Sequence, residues 1–363
     1  MFHSNNHQHG FENKLLLSNS LSKENTSRDK EQLVFLNYDL KNRIEKFIPK
    51  HNNPLAFPEQ LLIDVEKVVP VSGLDFTIDT EHNSSIQLQQ TISKEVYIEH
   101  VNQLKQHIQQ GDIYEINYCM AFEAFDVTID TLAIYQKLNA ISRAPYSAFA
   151  KLNHQYIISS SPELFLSKRG NIIYTKPIKG TAKRSNIKEE DDLIKQQLSI
   201  NLKERTENVM IVDVARNDLS RIAEKATVNV DKLFDIESYD QVHQMVSTVS
   251  CEVKEGITFN DIIKATFPMA SMTGAPKIRA MQLIDEYELY NRNAYSGALG
   301  YINTNGDFDL NVLIRSIFYD AEKQYLSFSV GSAITSQCNA EDEYEECLLK
   351  AKAMLQVLQG NNN

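Results

Sequence analysis

The sequence predicts an α+β protein with mostly antiparallel sheet, built as one large unit. Three observations carry this. Strand signals and helix signals come in blocks, not in a regular βαβ series. The 363 residues are 42% apolar and 23% charged, enough for a sizeable core. At roughly 150 residues per domain the length fits two domains or one large β-rich one, and no repeat or long linker divides it.

Taken in order, residues 1–30 form a polar N-terminal segment with one apolar island, Leu15–Leu17. His3, His7 and His9 within it read as an exposed polar terminus before they read as a metal tract. In residues 31–90, short apolar runs broken by Pro49, Pro54, Pro58 and Pro70 predict strands and turns. Ser93 then opens a helix. Tyr97, Val101, Leu104 and Ile108 recur at helical spacing, and Gly111 stops it. From 113 to 178 strand signals dominate: IYEINYCMAF, YSAFAKL, YIISSS, ELFLS and NIIYTKPI. A charged helix follows from about 187. It leads into another at 207–219, where Val209, Val212, Arg216 and Leu219 share a face. Pro276 suits the first turn of a helix over 276–288. Strands return at 297–303, 310–319 and 325–332, and a last helix spans about 341–358.

Charge and cysteine usage narrow the function classes. Lys plus Arg is 37 against 48 Asp plus Glu, a net charge of −11. Such a surface disfavours nucleic acid as a partner. An anionic substrate would need a local cluster of Lys and Arg against that background. No apolar run approaches the roughly 20 residues that span a bilayer, and the first residues lack a signal-peptide pattern. Cys119, Cys251, Cys338 and Cys347 form no CxxC pair. Ordinary buried thiols in a reducing, cytoplasmic compartment are the expectation.

Three constellations could carry chemistry. Glu204 and Glu207 stand i, i+3 on one helix. Glu343 and Glu346 stand i, i+3 on the last, with Lys350 four residues beyond Glu346. Spacing alone describes solvated helix faces. The functional reading is two carboxylate pairs converging on Mg²⁺, a hard cation that takes carboxylate oxygens and keeps waters. In PIKGTAKR (177–184), Pro177 and Gly180 fix the backbone around Lys179, and Thr181 adds a hydroxyl. An exposed turn is the plainer reading. A nucleophilic lysine is the functional one, and it requires a lowered pKa, which burial and neighbouring cations are expected to supply. FPMASMTGAPKIRAM (267–281) is a small-residue loop feeding a helix N-terminus, either a tight junction or an anion site. His243, the last histidine in the chain, and Glu163 in SSPE say nothing alone.

Together these runs resemble the chorismate-utilising enzymes. The matching segments are GDIYEINY (111–118), APYSAF (144–149), SSPELFL (160–166), PIKGT (177–181), ENVMIVDVARNDLSRI (207–222), HQMVSTV (243–249), TGAPKIRAMQLIDE (273–286), YSGALGYI (295–302), LIRS (313–316) and EDEYEECLLKAKAML (341–355). The resemblance implies an anthranilate synthase component I-like sandwich of two mostly antiparallel sheets flanked by helices. Residues 91–360 would form the chorismate-binding catalytic domain.

Within that family PIKGT resembles the aminodeoxychorismate synthase component I form. Anthranilate, isochorismate and salicylate synthases carry Ala where Lys179 stands. The implied reaction joins chorismate and ammonia into 4-amino-4-deoxychorismate, toward 4-aminobenzoate and folate, with Mg²⁺ as cofactor. Ammonia would come from a separate glutamine amidotransferase subunit, since the sequence shows no glutaminase segment. By motif position Lys179 would add to the ring at C2, and Glu163 would protonate the departing C4 hydroxyl with His243 nearby. Glu207 and Glu346 would ligate the metal directly, and Glu204 and Glu343 through water. Thr181 and Gly180 would hold the ring carboxylate. Tyr295, Arg315, Lys350 and the backbone near Gly331 would hold the enolpyruvyl carboxylate. The alternatives are anthranilate synthase component I of tryptophan biosynthesis, against which Lys179 argues, and a non-catalytic chorismate-binding relic.

Three positions depart from the family pattern. Glu115 stands where aminating relatives have Gln and water-adding ones have Lys. FPMAS replaces FPGGS, and Gly331-Ser332-Ala333 replaces a more glycine-rich triplet.

Overall fold

Short strand segments, the central ones buried along nearly their whole length, sort into two antiparallel sheets. The structure, a computed structural model, describes residues 1–5, 7, 9–19, 29–71, 86–240 and 242–360. In chain order it opens with β1 (Phe2–His3), β2 (Lys14–Leu17), β3 (Gln32–Leu36), α1 (Leu40–Glu45), β4 (Gln60–Asp64), β5 (Lys67–Pro70) and β6 (Gln89–Gln90). Then come α2 (Lys94–Gln109), β7 (Glu115–Ala124), α3 (Thr131–Ser142), β8 (Tyr146–Leu152), β9 (Gln155–Ser161), β10 (Leu164–Arg169), β11 (Ile172–Lys176) and β12 (Ile178–Lys183). The helices α4 (Lys188–Ile200) and α5 (Leu202–Ser220) precede β13 (Asn229–Ser238), β14 (Val242–Glu252) and α6 (Phe259–Thr266). The rest is β15 (Gly274–Ala275), α7 (Lys277–Tyr287), β16 (Ala298–Ile302), β17 (Phe308–Val312), β18 (Ser316–Asp320), β19 (Tyr325–Ile334) and α8 (Ala340–Gln359).

The first sheet runs β15-β7-β19-β18-β9-β8-β1-β2-β5, with β6 also on β7. The second runs β12-β14-β11-β10-β17-β16-β3-β4, with β13 also on β14. One core lies between them: Ala148, Ile157 and Phe318 of the first sheet meet Phe35, Leu164 and Leu310 of the second. Val212, Ala215 and Leu219 of α5 join it. A second core covers the first sheet's other face, where Ile116, Phe122 and Phe328 pack under α2, α3, α7 and α8. Each fully buried Leu or Phe here contributes roughly 1.5–3 kcal/mol.

The two-sheet α+β architecture is as expected from the resemblance, and the structure refines the elements. Ser93 caps α2 by accepting from Val96 N–H, and Tyr97, Val101 and Leu104 are buried. The stretch read as strands over 113–178 contains a helix, α3. Asp130 caps it by accepting from the Leu132 and Ala133 N–H groups, and Ala133, Ile134 and Leu138 are its inner side. Only twelve residues long, it is swamped by the β-rich segments around it. Helix α5 starts at Leu202, because Asn201 accepts from Glu204 N–H. Its buried side is Asn208, Ile211, Val212, Ala215 and Leu219, whereas Val209 and Arg216 face solvent. The expected stripe through Val209 and Arg216 is thus displaced by about one residue. α6, closed by a Thr258–Asp261 capping box, and the long hairpin β13–β14 had no counterpart in the sequence reading.

The N-terminal segment is not an exposed tail where it is described. Phe2 and Phe11 meet edge to face at 4.9 Å, and both pack on Tyr301. His3 bonds Asn5, and His7 bonds the Arg143 carbonyl, so these rings do not converge on a metal. Residues 20–28 and 72–85 of the expected N-terminal regions lie outside the described residues. All four cysteines are free and buried, as expected. Among the described residues no helix is long and apolar enough to cross a membrane.

Candidate active site

Two passages of the chain cross between the sheets side by side. Ser161 ends β9 in the first sheet, and Leu164 starts β10 in the second, so Glu163 lies on one passage. Val312 ends β17 in the second sheet, and Ser316 starts β18 in the first, so Arg315 lies on the other. The passages are laced together. Ser161 Oγ donates to the Val312 carbonyl at 2.6 Å, Val312 N–H to the Glu163 carbonyl at 3.0 Å, and Ser160 N–H to the Arg315 carbonyl at 3.1 Å.

Lys179 comes from the second sheet. The β12–β14 register slips between Ile178 and Thr181, an irregularity that re-aims a side chain. Gly180 has φ +88°, and a Cβ there would crowd Glu204, so glycine lets β12 approach α5. The buried Lys179 Nζ lies 2.5 Å from Oε1 of Glu115, which is 1% exposed on β7 of the first sheet. The other Glu115 oxygen is buried and has no hydrogen-bond partner among the described residues. Burial alone would push the Lys179 amine down, but Glu115, Glu207 and Glu163 raise it above the usual lysine value. The direction is thus opposite to the expected lowering: the acids around Lys179, Glu115 first among them, favour its charged form.

The acids divide by surroundings. Burial lifts Glu163 to about 7, against the pull of the Ser271 hydroxyl and Lys179. Burial likewise lifts Glu207 to about 7, and its Oε1 has no hydrogen-bond partner. Glu204 is raised for the same reason. Burial would lift Glu346 too, but the Lys350 ammonium at 2.7 Å holds it below the usual carboxylate value. Lys203 stands between the helices, 3.1 Å from Glu343 and 3.9 Å from Glu207, and these acids raise it to about 12 despite burial. Two of the four expected carboxylates, Glu207 of α5 and Glu343 of α8, thus face one ammonium, and Glu346 faces another, Lys350. Among the described residues no three acidic, His or Cys side chains are already gathered as a metal cage.

The cationic side faces them. Among the described residues the Arg315 guanidinium has no protein acceptor, and burial lowers its pKa. Lys350 Nζ donates to the Gly331 carbonyl at 2.9 Å, and Tyr295 OH lies 3.9 Å from Cys119 Sγ. A guanidinium fork with no protein acceptor among the described residues suits a small carboxylate ligand.

A family model described as chorismate binding enzyme matches residues 9–356. The chain belongs to the chorismate binding enzymes. It is 37% identical over 325 residues to a probable chloroplastic aminodeoxychorismate synthase of Oryza sativa subsp. japonica, covering 85% of this chain and 36% of that protein. It is 38% identical over 268 residues to aminodeoxychorismate synthase component 1 of Klebsiella aerogenes, covering 74% and 59%. The chain thus spans less than two thirds of the length of these curated relatives. The crystal structure of anthranilate synthase component I from Streptococcus pneumoniae TIGR4 superposes with a TM-score of 0.78 at 26% identity, covering 92% of this chain and 83% of that one.

Of the expected site residues, Lys179 lies within the electrostatic reach of Glu163, Glu207 and Glu204, Arg315 lies within that of Tyr295, and Lys350 bonds the Gly331 carbonyl. Thr181 is exposed beside Gly180. His243 is placed differently: its ring nitrogens face Asp191 Oδ1 at 2.9 Å and Ser238 Oγ at 2.8 Å, on the α4 side of β12. Arg184 in turn holds Asp191 down at about 2. Met269 and Ala270 are buried and line a cavity behind Glu163.

Sequence reasoning missed the support beneath the site. Arg292 grips Glu288 through two bonds of 2.7 and 2.5 Å and donates to the Met272 and Asn117 carbonyls. Glu288 also accepts Cys119 N–H. The pair is i, i+4 in ELYNR, a spacing that could have flagged it.

Proposed function

We propose that this chain is an aminodeoxychorismate synthase component I. It converts chorismate and ammonia into 4-amino-4-deoxychorismate and water, with ammonia drawn from a separate glutamine amidotransferase subunit. The carrying observation is Lys179: a buried amine held among Glu115, Glu163 and Glu207 at the junction of both sheets. The curated relatives' names support the same reading.

Glu163, poised to hold a proton near neutrality, gives it to the C4 hydroxyl, which leaves as water. Lys179 adds at C2, ammonia then adds at C4, and the lysine leaves. Arg315, with Tyr295, Lys350 and the Gly331 backbone, orients the enolpyruvyl carboxylate. Gly180 and Thr181 take the ring carboxylate. His243, fixed on both nitrogens, ties β14 to α4 and β13.

The carboxylates of Glu204, Glu207, Glu343 and Glu346 fit Mg²⁺: they are hard oxygen donors, the buried Oε1 of Glu207 has no hydrogen bond among the described residues, and a cation, Lys203, already pairs with Glu207 and Glu343. When bound, Mg²⁺ supplies positive charge against the substrate's ring carboxylate.

Purified protein with chorismate, MgCl₂ and ammonium salt, followed by mass analysis, tests the reading. The expected product is 4-amino-4-deoxychorismate, lost with EDTA and regained with Mg²⁺. Anthranilate with pyruvate would reassign it to the activity named for the S. pneumoniae relative, and no product would mark a binding protein.

A further inference from the structure

Gly331 and Ala333 face one side of β19, and Ser332 faces the other. Gly331 lies opposite Cys119 of β7, where the proposed function, on which this inference rests, puts the enolpyruvyl carboxylate. Ser332 lies opposite Tyr118, on the side that α2 and α8 cover. The packing there is largely apolar, with Ile116, Val330 and Ile334 around it. Through it Tyr97 of α2 reaches the strand: its OH is 2.9 Å from Ser332 Oγ and 3.4 Å from Cys347 Sγ of α8. Tyr97, Ser332 and Cys347 are fully buried.

The strand needs such a hold at this point. β18 pairs with β19 only as far as Ile317 opposite Phe328, and Arg315 stands two residues before Ile317, where the strands part. Past Phe328 that edge of β19 has no strand partner among the described residues, and Lys350 takes the Gly331 carbonyl at 2.9 Å. On the β7 side, the Cys119 N–H opposite Gly331 donates to Glu288. Two backbone groups at this crossing are therefore held by side chains, and the place of residue 331 depends on what is fastened beside it.

We infer that Tyr97 and Ser332 form a tether that sets where the Gly331 backbone stands for the enolpyruvyl carboxylate. Lys350 pins residue 331 to α8, and the tether pins residue 332 to α2, so the strand cannot slide under either helix. A buried hydroxyl pair adds little net stability, because both groups would otherwise bond water, but it fixes geometry. Ser332, one of the departures from the family pattern, thereby acts from the covered side of the strand. Tyr97 and Ser332 act through Gly331 and are positioning residues.

The test measures Tyr97→Phe, Ser332→Ala and the double variant against wild type. The readouts are KM and kcat with chorismate, MgCl₂ and ammonium salt, chorismate affinity by calorimetry without ammonia, and Tm. Phe removes only the hydroxyl and keeps the ring in place. Each single variant is expected to raise KM for chorismate, and weaken its binding, about fivefold to tenfold, with kcat unchanged within about twofold. The double variant should be no worse than the worse single, because either change already cuts the tether. Wild-type KM and affinity in both singles, whatever the Tm, would leave the pair as packing and overturn the inference. A loss confined to kcat, or effects that add in the double variant, would overturn it too. If Ser332→Ala does not fold, Tyr97→Phe decides by the same limits. A wild type that yields anthranilate, or no product, fails the proposed function, while calorimetry still decides the tether.

Discussion

Lys350 Nζ donates to the Gly331 carbonyl at 2.9 Å, fastening α8 to the strand β19 that lies beside β7. That strand can approach only because position 331 lacks a side chain. A Cβ there would collide with Cys119 Sγ and Asn117 Oδ1. Gly331→Ala is expected to cost about 1–3 kcal/mol, read as a lower urea midpoint at unchanged m. A wild-type midpoint would show that β7 yields freely.

Glu163 gives a pH signature in stability. Its folded value is about 7, against the ordinary 4.5 of a free glutamate side chain. Between these values the folded state holds a proton that the unfolded chain lacks, so stability falls as pH rises through that window. Glu163→Gln removes this, and should be more stable than wild type at pH 8 by up to about 3 kcal/mol, with no difference at pH 4. It should also lose amination. Melting curves of both proteins at the two pH values check the sign; equal shifts at both would contradict it.

Arg315 predicts a binding defect without a folding defect. Its guanidinium is half-buried with no protein acceptor among the described residues, so truncation leaves no protein carboxylate orphaned. Arg315→Ala should raise KM for chorismate roughly tenfold to a hundredfold, with Tm unchanged or higher. Arg315→Lys should recover only part, since an ammonium cannot reproduce the two-point fork.

Asn339 caps α8 by accepting from the Glu341 and Asp342 N–H groups at 2.9 and 3.2 Å. Asn339→Ala should cost about 1 kcal/mol. Because Glu343 and Glu346 follow within two turns, the Mg²⁺ concentration needed for half activity should rise as well. A stability loss with an unmoved Mg²⁺ titration would separate the cap from the carboxylates.

Much of the site was legible because its residues sit in short, ordered runs: Lys179 in PIKGT, Glu207 in ENVMIVDV, Arg315 in LIRS. Each run records its own local geometry, such as the glycine that brings β12 against Glu204. What the runs omit is how they meet. Glu115 and Lys179 are 64 residues apart and pair only because two sheets face each other. Hence Glu115 read as a departure without a role, and the lysine's charge was judged without its closest neighbour. Helix α5 misled for a similar reason. Arg216 shares a helical stripe with Val212 on paper, but packing against β14 and α6 turns that side to water.

Helix α8 has a consequence in time. Its Cys347, Ala351, Met354 and Leu358 seal one face of the first sheet, while Glu343 and Glu346 complete the acid cluster begun on α5. During synthesis α5 emerges long before α8, so for most of that interval the ribosome carries a chain with Lys179 and Glu207 but half of the carboxylates. The inner core also waits for Leu299, Leu310 and Phe318, so core, outer face and acid cluster all close only when the last fifth of the chain has been made.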